Sequence, residues 1–224
     1  MFDYIKKSSN DINKIMPKKL FNNILIIFKD DFLIDLDINK IIKIIKKKIP
    51  EHFFSYIDEI LIGQFDILKE RKIEALYFEN TIYISNEQSS EDDFAEDIIH
   101  EIAHSLEQNL KDQIYGDLSI INEFKYKRDL LKVKLKSNRF NVPKEYSDIF
   151  FSKEVDTFFY EEVGYGRIVT LCGNLFINPY GATSIEEYWA TGFEEYYINN
   201  NKLLAQISPA LYSKIEELIE EFEK

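Results

Sequence analysis

The chain has 224 residues, is 45% hydrophobic and 15% aromatic, and carries a formal net charge of -12. That composition supports a sizeable core and excludes a disordered chain, and the acidic balance argues against nucleic acid as a partner, because a phosphate backbone needs a basic surface. The single cysteine, Cys172, excludes an internal disulfide framework and a Cys-rich zinc knuckle, and reads as a small buried apolar residue.

No apolar run approaches the about 20 residues of a membrane helix, so no membrane insertion is expected. The N-terminal MFDYIKKSSN has charge but no apolar h-region of a signal peptide. The expectation is a cytoplasmic protein, or a toxin-like effector delivered by another route. Basic runs at Lys43 to Lys48 and Lys125 to Arg139 read as solvated helix faces.

Residues 1–20 show no clear period and read as a weakly ordered lead-in. Asn23 to Phe28 is short and apolar enough for a buried strand. Asp37 caps an amphipathic helix that carries Ile38, Ile41, Ile42, Ile45 and Ile49 and ends at Pro50. A strand follows near Asp58 to Gly63, then Leu76 to Ser85 reads as a tight hairpin or a bulged strand about Glu79-Asn80. Ser89-Ser90-Glu91-Asp92-Asp93 opens a helix whose stripe is Phe94, Ala95, Ile98, Ile99, Ile102 and Leu106.

The stretch 111–165 reads as mostly helical, broken once at Val142-Pro143. Four of the seven glycines fall in 163–182, which predicts turns with extended pieces at Arg167 to Leu171 and Leu175 to Ile177. Ser184 opens a helix to about Ile198. Ser208-Pro209 opens the last one, with Leu211, Ile215, Leu218, Ile219 and Phe222 at helical spacing. The order gives an α+β fold in a single domain: a small mixed sheet with an active helix in 21–110, and a mostly helical lobe in 111–224.

The chemistry concentrates at His100-Glu101-Ile102-Ala103-His104, an H-E-x-x-H match inside a helix. Residues at i and i+4 share a face, so His100 and His104 can offer two imidazole nitrogens to one Zn2+ ion. Glu101 stands beside that ion, where its carboxylate can take a proton from water. The third ligand is open at this point. A third histidine in the metzincin pattern is ruled out by Glu107 and Leu110, and His52, between Glu51 and Phe53, reads as a helix-end packing residue. A carboxylate is therefore expected. Glu123 has thermolysin-like spacing without the Ser-Asp that should follow, and also suits an i,i+4 pair with Lys127. Glu187 lies in a helix start that Ser184 could cap, with Ala190 and Thr191 one turn on and Glu194 two turns on, where Thr191 and Glu194 can support the ligand shell.

HEIAH with a downstream Tyr-x6-Glu opening a helix resembles the anthrax lethal factor catalytic domain and the related Pro-Pro endopeptidases, a gluzincin family. The resemblance covers roughly 55–200. It implies a zincin-like fold, one catalytic zinc on His100, His104 and Glu187, and a Tyr180 hydroxyl that stabilises the oxyanion. It implies hydrolysis of a peptide or protein substrate, with the stretch 58–85 resembling that family's substrate-lining sheet. Strand 81–85, with Thr81 and Tyr83, is expected to align an extended peptide. About eighty residues separate His104 from Glu187, longer than is usual in the family. The competing expectation is a metal-free relative that uses the same cleft to hold a protein.

Overall fold

The computed structural model describes residues 18–21, 24–199 and 201–223. The chain divides into two compact units, Met1–Asn109 and Leu110–Lys224. The fold is mixed α+β, with one five-stranded sheet and a helix-rich remainder. No helix among the described residues is long and apolar enough to cross a membrane.

The first unit carries the sheet. Its strands are β1 (Lys18–Lys19), β2 (Leu25–Phe28), β3 (Glu59–Ile62), β4 (Ala75–Phe78) and β5 (Thr81–Ile84), in the order β1-β2-β3-β5-β4. The inner three are parallel and the two edges antiparallel. Burial on both faces explains why β2 and β3 read as near-continuous apolar runs. The pairing of Lys18 and Lys19 in β1 corrects the end of the expected lead-in; residues 1–17 lie outside the described residues.

Helix α1 (Ile38–Lys48) links β2 to β3, and Asp37 caps it by accepting the Asn39 N–H at 2.8 Å. Glu79 and Asn80 both have positive φ, 46° and 60°, the backbone that a two-residue hairpin turn with the twist of its strands requires. A short helix, α2 (Asp66–Arg71), escaped the sequence reading. It covers one face of the sheet through Phe65 and Leu68, packed with Leu61 and Tyr83. By the alternation of strand side chains, Ile60, Ile62, Ile82 and Ile84 line the other face. Helix α3 (Glu91–Asn109) packs against α1, β4 and β5, with Ser90 Oγ accepting the Asp93 N–H at 3.1 Å at its start.

The second unit is helical: α4 (Lys111–Tyr115), α5 (Ser119–Ser137), α6 (Lys153–Thr157) running into a π-helical turn at Phe158–Val163, α7 (Tyr165–Cys172), α8 (Ile185–Ile198), α9 (Asn201–Ile207) and α10 (Pro209–Phe222). Helix α7 replaces the extended piece expected at 167–171. Gly164 and Gly173, with φ of 78° and 54°, bracket the helix instead of breaking it. No strand forms at 175–177.

A buried polar network on α5 fixes α8 and α10. Glu123 accepts the Tyr188 hydroxyl at 2.7 Å and the N–H groups of Ala210 and Leu211 at 3.0 and 3.3 Å, so its carboxylate caps α10 from outside that helix. Lys127 donates to the Tyr188 and Ser208 hydroxyls, both at 2.6 Å. Ser208 therefore holds a lysine, and Glu123 does the capping that the sequence assigned to the serine. Arg128, stacked 4.0 Å from the centre of the Tyr146 ring, donates to the carbonyls of Asp148 and Thr183, which ties down the turn before α8.

Two predictions come from this unit. A Cβ at Gly192 of α8 would overlap Leu211 Cδ2 and lie 2.9 Å from its Cγ. Gly192→Ala gains about 1 kcal/mol of helix propensity but loses about 1–3 kcal/mol to overpacking, so urea denaturation should show net destabilisation. Burial pushes the Lys127 ammonium down to about 8, partly opposed by Glu123. Between that value and the unfolded value of about 10.4 the unfolded chain holds the extra proton, so stability rises with pH there. Denaturation of wild type and Lys127→Met at pH 7 to 10 should show a wild-type gain above pH 8 that the variant lacks. A difference between the two that is independent of pH would contradict it.

Candidate metal centre

Helix α3 buries Phe94, Ile98, Ile99, Ile102 and Leu106 completely. That stripe fixes its rotation and leaves His100 and His104 half-buried at its flank. Their Nε2 atoms face each other at 3.2 Å, with ring centres 4.9 Å apart and planes at 71°. Two nitrogens bound at about 2.0–2.1 Å to a tetrahedral ion would be about 3.3 Å apart, so the pair has the bite of a zinc site.

Glu101 points differently from its neighbours, as a residue 100° further round a helix must. It is only 6% exposed, and its Oε2 accepts the backbone N–H of Tyr77 on β4 at 2.5 Å. A carboxylate this deep needs such partners to offset lost hydration.

Glu187 sits in the first turn of α8. Its N–H donates to Ser184 Oγ at 3.3 Å, so Ser184 caps the helix as expected. The Thr191 hydroxyl donates to the Glu187 carbonyl at 2.7 Å. Tyr180 lies in a 3-10 turn, Pro179–Ala182, that packs on α8. Gly181 permits that approach, since a Cβ there would lie 2.6 Å from Thr191 Oγ1. Thr191, expected to support the ligand shell, bonds to the backbone carbonyl of Glu187 one turn before it. Glu194 lies half-buried on the same helix.

Among the described residues, the one group of three or more potential metal ligands is His100, His104 and Glu187; one ligand atom from each lies within 4.8 Å of the others. Two imidazoles and a carboxylate fit a zinc ion that keeps a position for water. The competing carboxylate, Glu123, is engaged with Tyr188, Lys127 and the start of α10. His52 sits in a 3-10 turn with its ring against Phe53, as a packing residue would.

The expectation for Thr81 and Tyr83 is corrected. Strand β5 is an inner strand, paired with β3 on one side and β4 on the other, so its backbone has no outer edge to offer a peptide. The Tyr83 side chain is buried on the α2 side, ring centre 5.2 Å from that of Phe65. The outer strand is β4.

Sequence reasoning missed Tyr77, whose contribution is a backbone N–H that no residue type signals. It paired Lys127 with Glu123, which the structure shows at 4.0 Å, but missed Arg128, Tyr188 and the bonds by which these residues hold the helix that carries Glu187. Their trace in the sequence was two basic residues on the face of α5 that its apolar period turns inward. Comparisons with known protein families, with curated proteins and with solved structures yield no match.

Proposed function

We propose that the chain is a zinc-dependent endopeptidase. The observation that carries the reading is the grouping of His100, His104 and Glu187, with the histidine nitrogens at the spacing of a tetrahedral site. These three residues would hold the ion in a zincin-like arrangement. When bound, zinc acts as a Lewis acid that polarises a carbonyl and lowers the pKa of water toward about 7.

The chain's own residues would do the rest. Glu101, whose Oε2 accepts the Tyr77 N–H, would accept a proton as water attacks the scissile carbonyl and then return it to the leaving amine. Tyr180 is assigned, by the family resemblance, the hydroxyl that donates to the developing oxyanion. Thr191 would keep the first turn of α8 in place through the Glu187 carbonyl. An extended peptide substrate would add to the outward edge of β4.

The reading separates two carboxylates by role. Glu101→Gln should retain one zinc per chain by elemental analysis and lose hydrolysis of an unfolded protein such as casein by roughly a hundred- to ten-thousandfold. Glu187→Ala should lose the metal together with the activity, and a chelator should abolish hydrolysis by the wild type. A Glu187→Ala protein that binds zinc as tightly as wild type would sink the ligand assignment.

A further inference from the structure

The alternation along β4 decides which of its backbone groups face outward. The Ser85 N–H donates to the Glu74 carbonyl at 2.7 Å. Leu76↔Tyr83 and Phe78↔Thr81 lie in the same register, two and four residues along. In an antiparallel pair, partners that exchange ladder bonds alternate with partners that do not. Leu76 and Phe78 therefore bond to β5, whereas Ala75 and Tyr77 turn their N–H and C=O groups away from it. Since β4 is the outermost strand, the Tyr77 N–H leaves the sheet, and it ends on Glu101.

Tyr77 itself is firmly held. Its ring is buried, and its hydroxyl meets the Tyr56 carbonyl at 3.0 Å and Asn80 Oδ1 at 3.3 Å. The amide is thus a fixed donor carried by the strand, aimed at a side chain of α3.

We propose that the backbone N–H of Tyr77 is a positioning group for Glu101, fixing its carboxylate relative to β4 for proton transfer. This rests on the peptidase reading above. A bond from a fixed strand amide restricts rotation of the carboxylate about its terminal torsion. The base is thereby referenced to β4, the strand proposed to receive the substrate. The same bond limits how a peptide can pair there. Because the Tyr77 N–H serves Glu101, it is not offered to an incoming peptide. An incoming peptide is restricted to registers that ask for no donor at position 77.

The test replaces the amide at position 77 by an ester, using the α-hydroxy analogue of tyrosine. The side chain stays and the ladder to β5 keeps all its donors, since this N–H does not contribute to it; the Leu76 carbonyl, now an ester carbonyl, is a weaker acceptor in that ladder. With casein as substrate, kcat should fall roughly ten- to a hundredfold, with KM changed less than about twofold and zinc content unchanged. Amide hydrogen exchange supplies a readout independent of activity: the Tyr77 amide should be protected in the wild type and in Glu101→Gln, whose side chain still offers an oxygen, and exposed in Glu101→Ala. An ester variant with wild-type kcat, or a Tyr77 amide unprotected in the wild type, overturns the proposal. If the wild type hydrolyses nothing while Tyr77 protection still depends on Glu101, the peptidase reading falls and the catalytic role falls with it, leaving a hydrogen bond that is structural.

Discussion

Helix α3 has to satisfy two demands at once. It must bury an apolar stripe against the sheet and against α1, and it must carry two imidazoles and a carboxylate in consecutive turns. The 100° step of the helix reconciles them. With Ile98, Ile102 and Leu106 committed to the core, positions 100 and 104 fall at the flank and position 101 falls toward the edge of the sheet. The rotation that makes the core also sets the two ring nitrogens 3.2 Å apart. The proposed chemistry would therefore depend on core packing, and a substitution in the stripe would misdirect all three polar side chains together.

The second unit reaches precision by another route. Its α5 helix sends three charged side chains inward, and each is matched to groups that fix a neighbouring helix. Glu123 neutralises the start of α10, Lys127 joins two hydroxyls, and Arg128 takes two carbonyls. Burying such groups is costly unless they are bonded; Arg128 bonds through Nη1 alone, its Nε and Nη2 having no hydrogen-bond partner among the described residues and its guanidinium lying over the Tyr146 ring. Apolar contacts alone would tolerate sliding of α8 along α5. The bonds from Glu123 and Lys127 to Tyr188 do not, and Tyr188 is the next residue after Glu187.

What could be read from the sequence follows from what a linear pattern encodes. Periodic apolar residues and terminal caps fall within a few residues of one another, so α1, α3, α8, α10 and the hairpin about Glu79-Asn80 were legible. The HEIAH spacing was legible because one helix carries it. Helix α2 is too short to show a period, and at α7 the glycines look alike whether they break a helix or bracket it. Strand order was not encoded locally. The inner place of β5 depends on pairing with β3, and only pairing reveals that Thr81 and Tyr83 are enclosed. The role of Glu123 was likewise hidden, because the helix it caps begins more than eighty residues later. The choice of Glu187 rests on resemblance and on its place at a helix start.

The contact between Gly192 and Leu211 has a bearing on how this sequence can drift. The missing methyl at one position is filled by the isobutyl group of the other, so the two share a single volume. Neither can change alone in the direction of bulk. Any descendant that acquires a side chain at 192 must shorten the one at 211 in step, or let α8 and α10 separate. Since Glu187 lies in the first turn of α8, that separation would be felt toward the start of the helix. The pair is a ratchet on divergence, in which the order of two substitutions decides whether the intermediate folds.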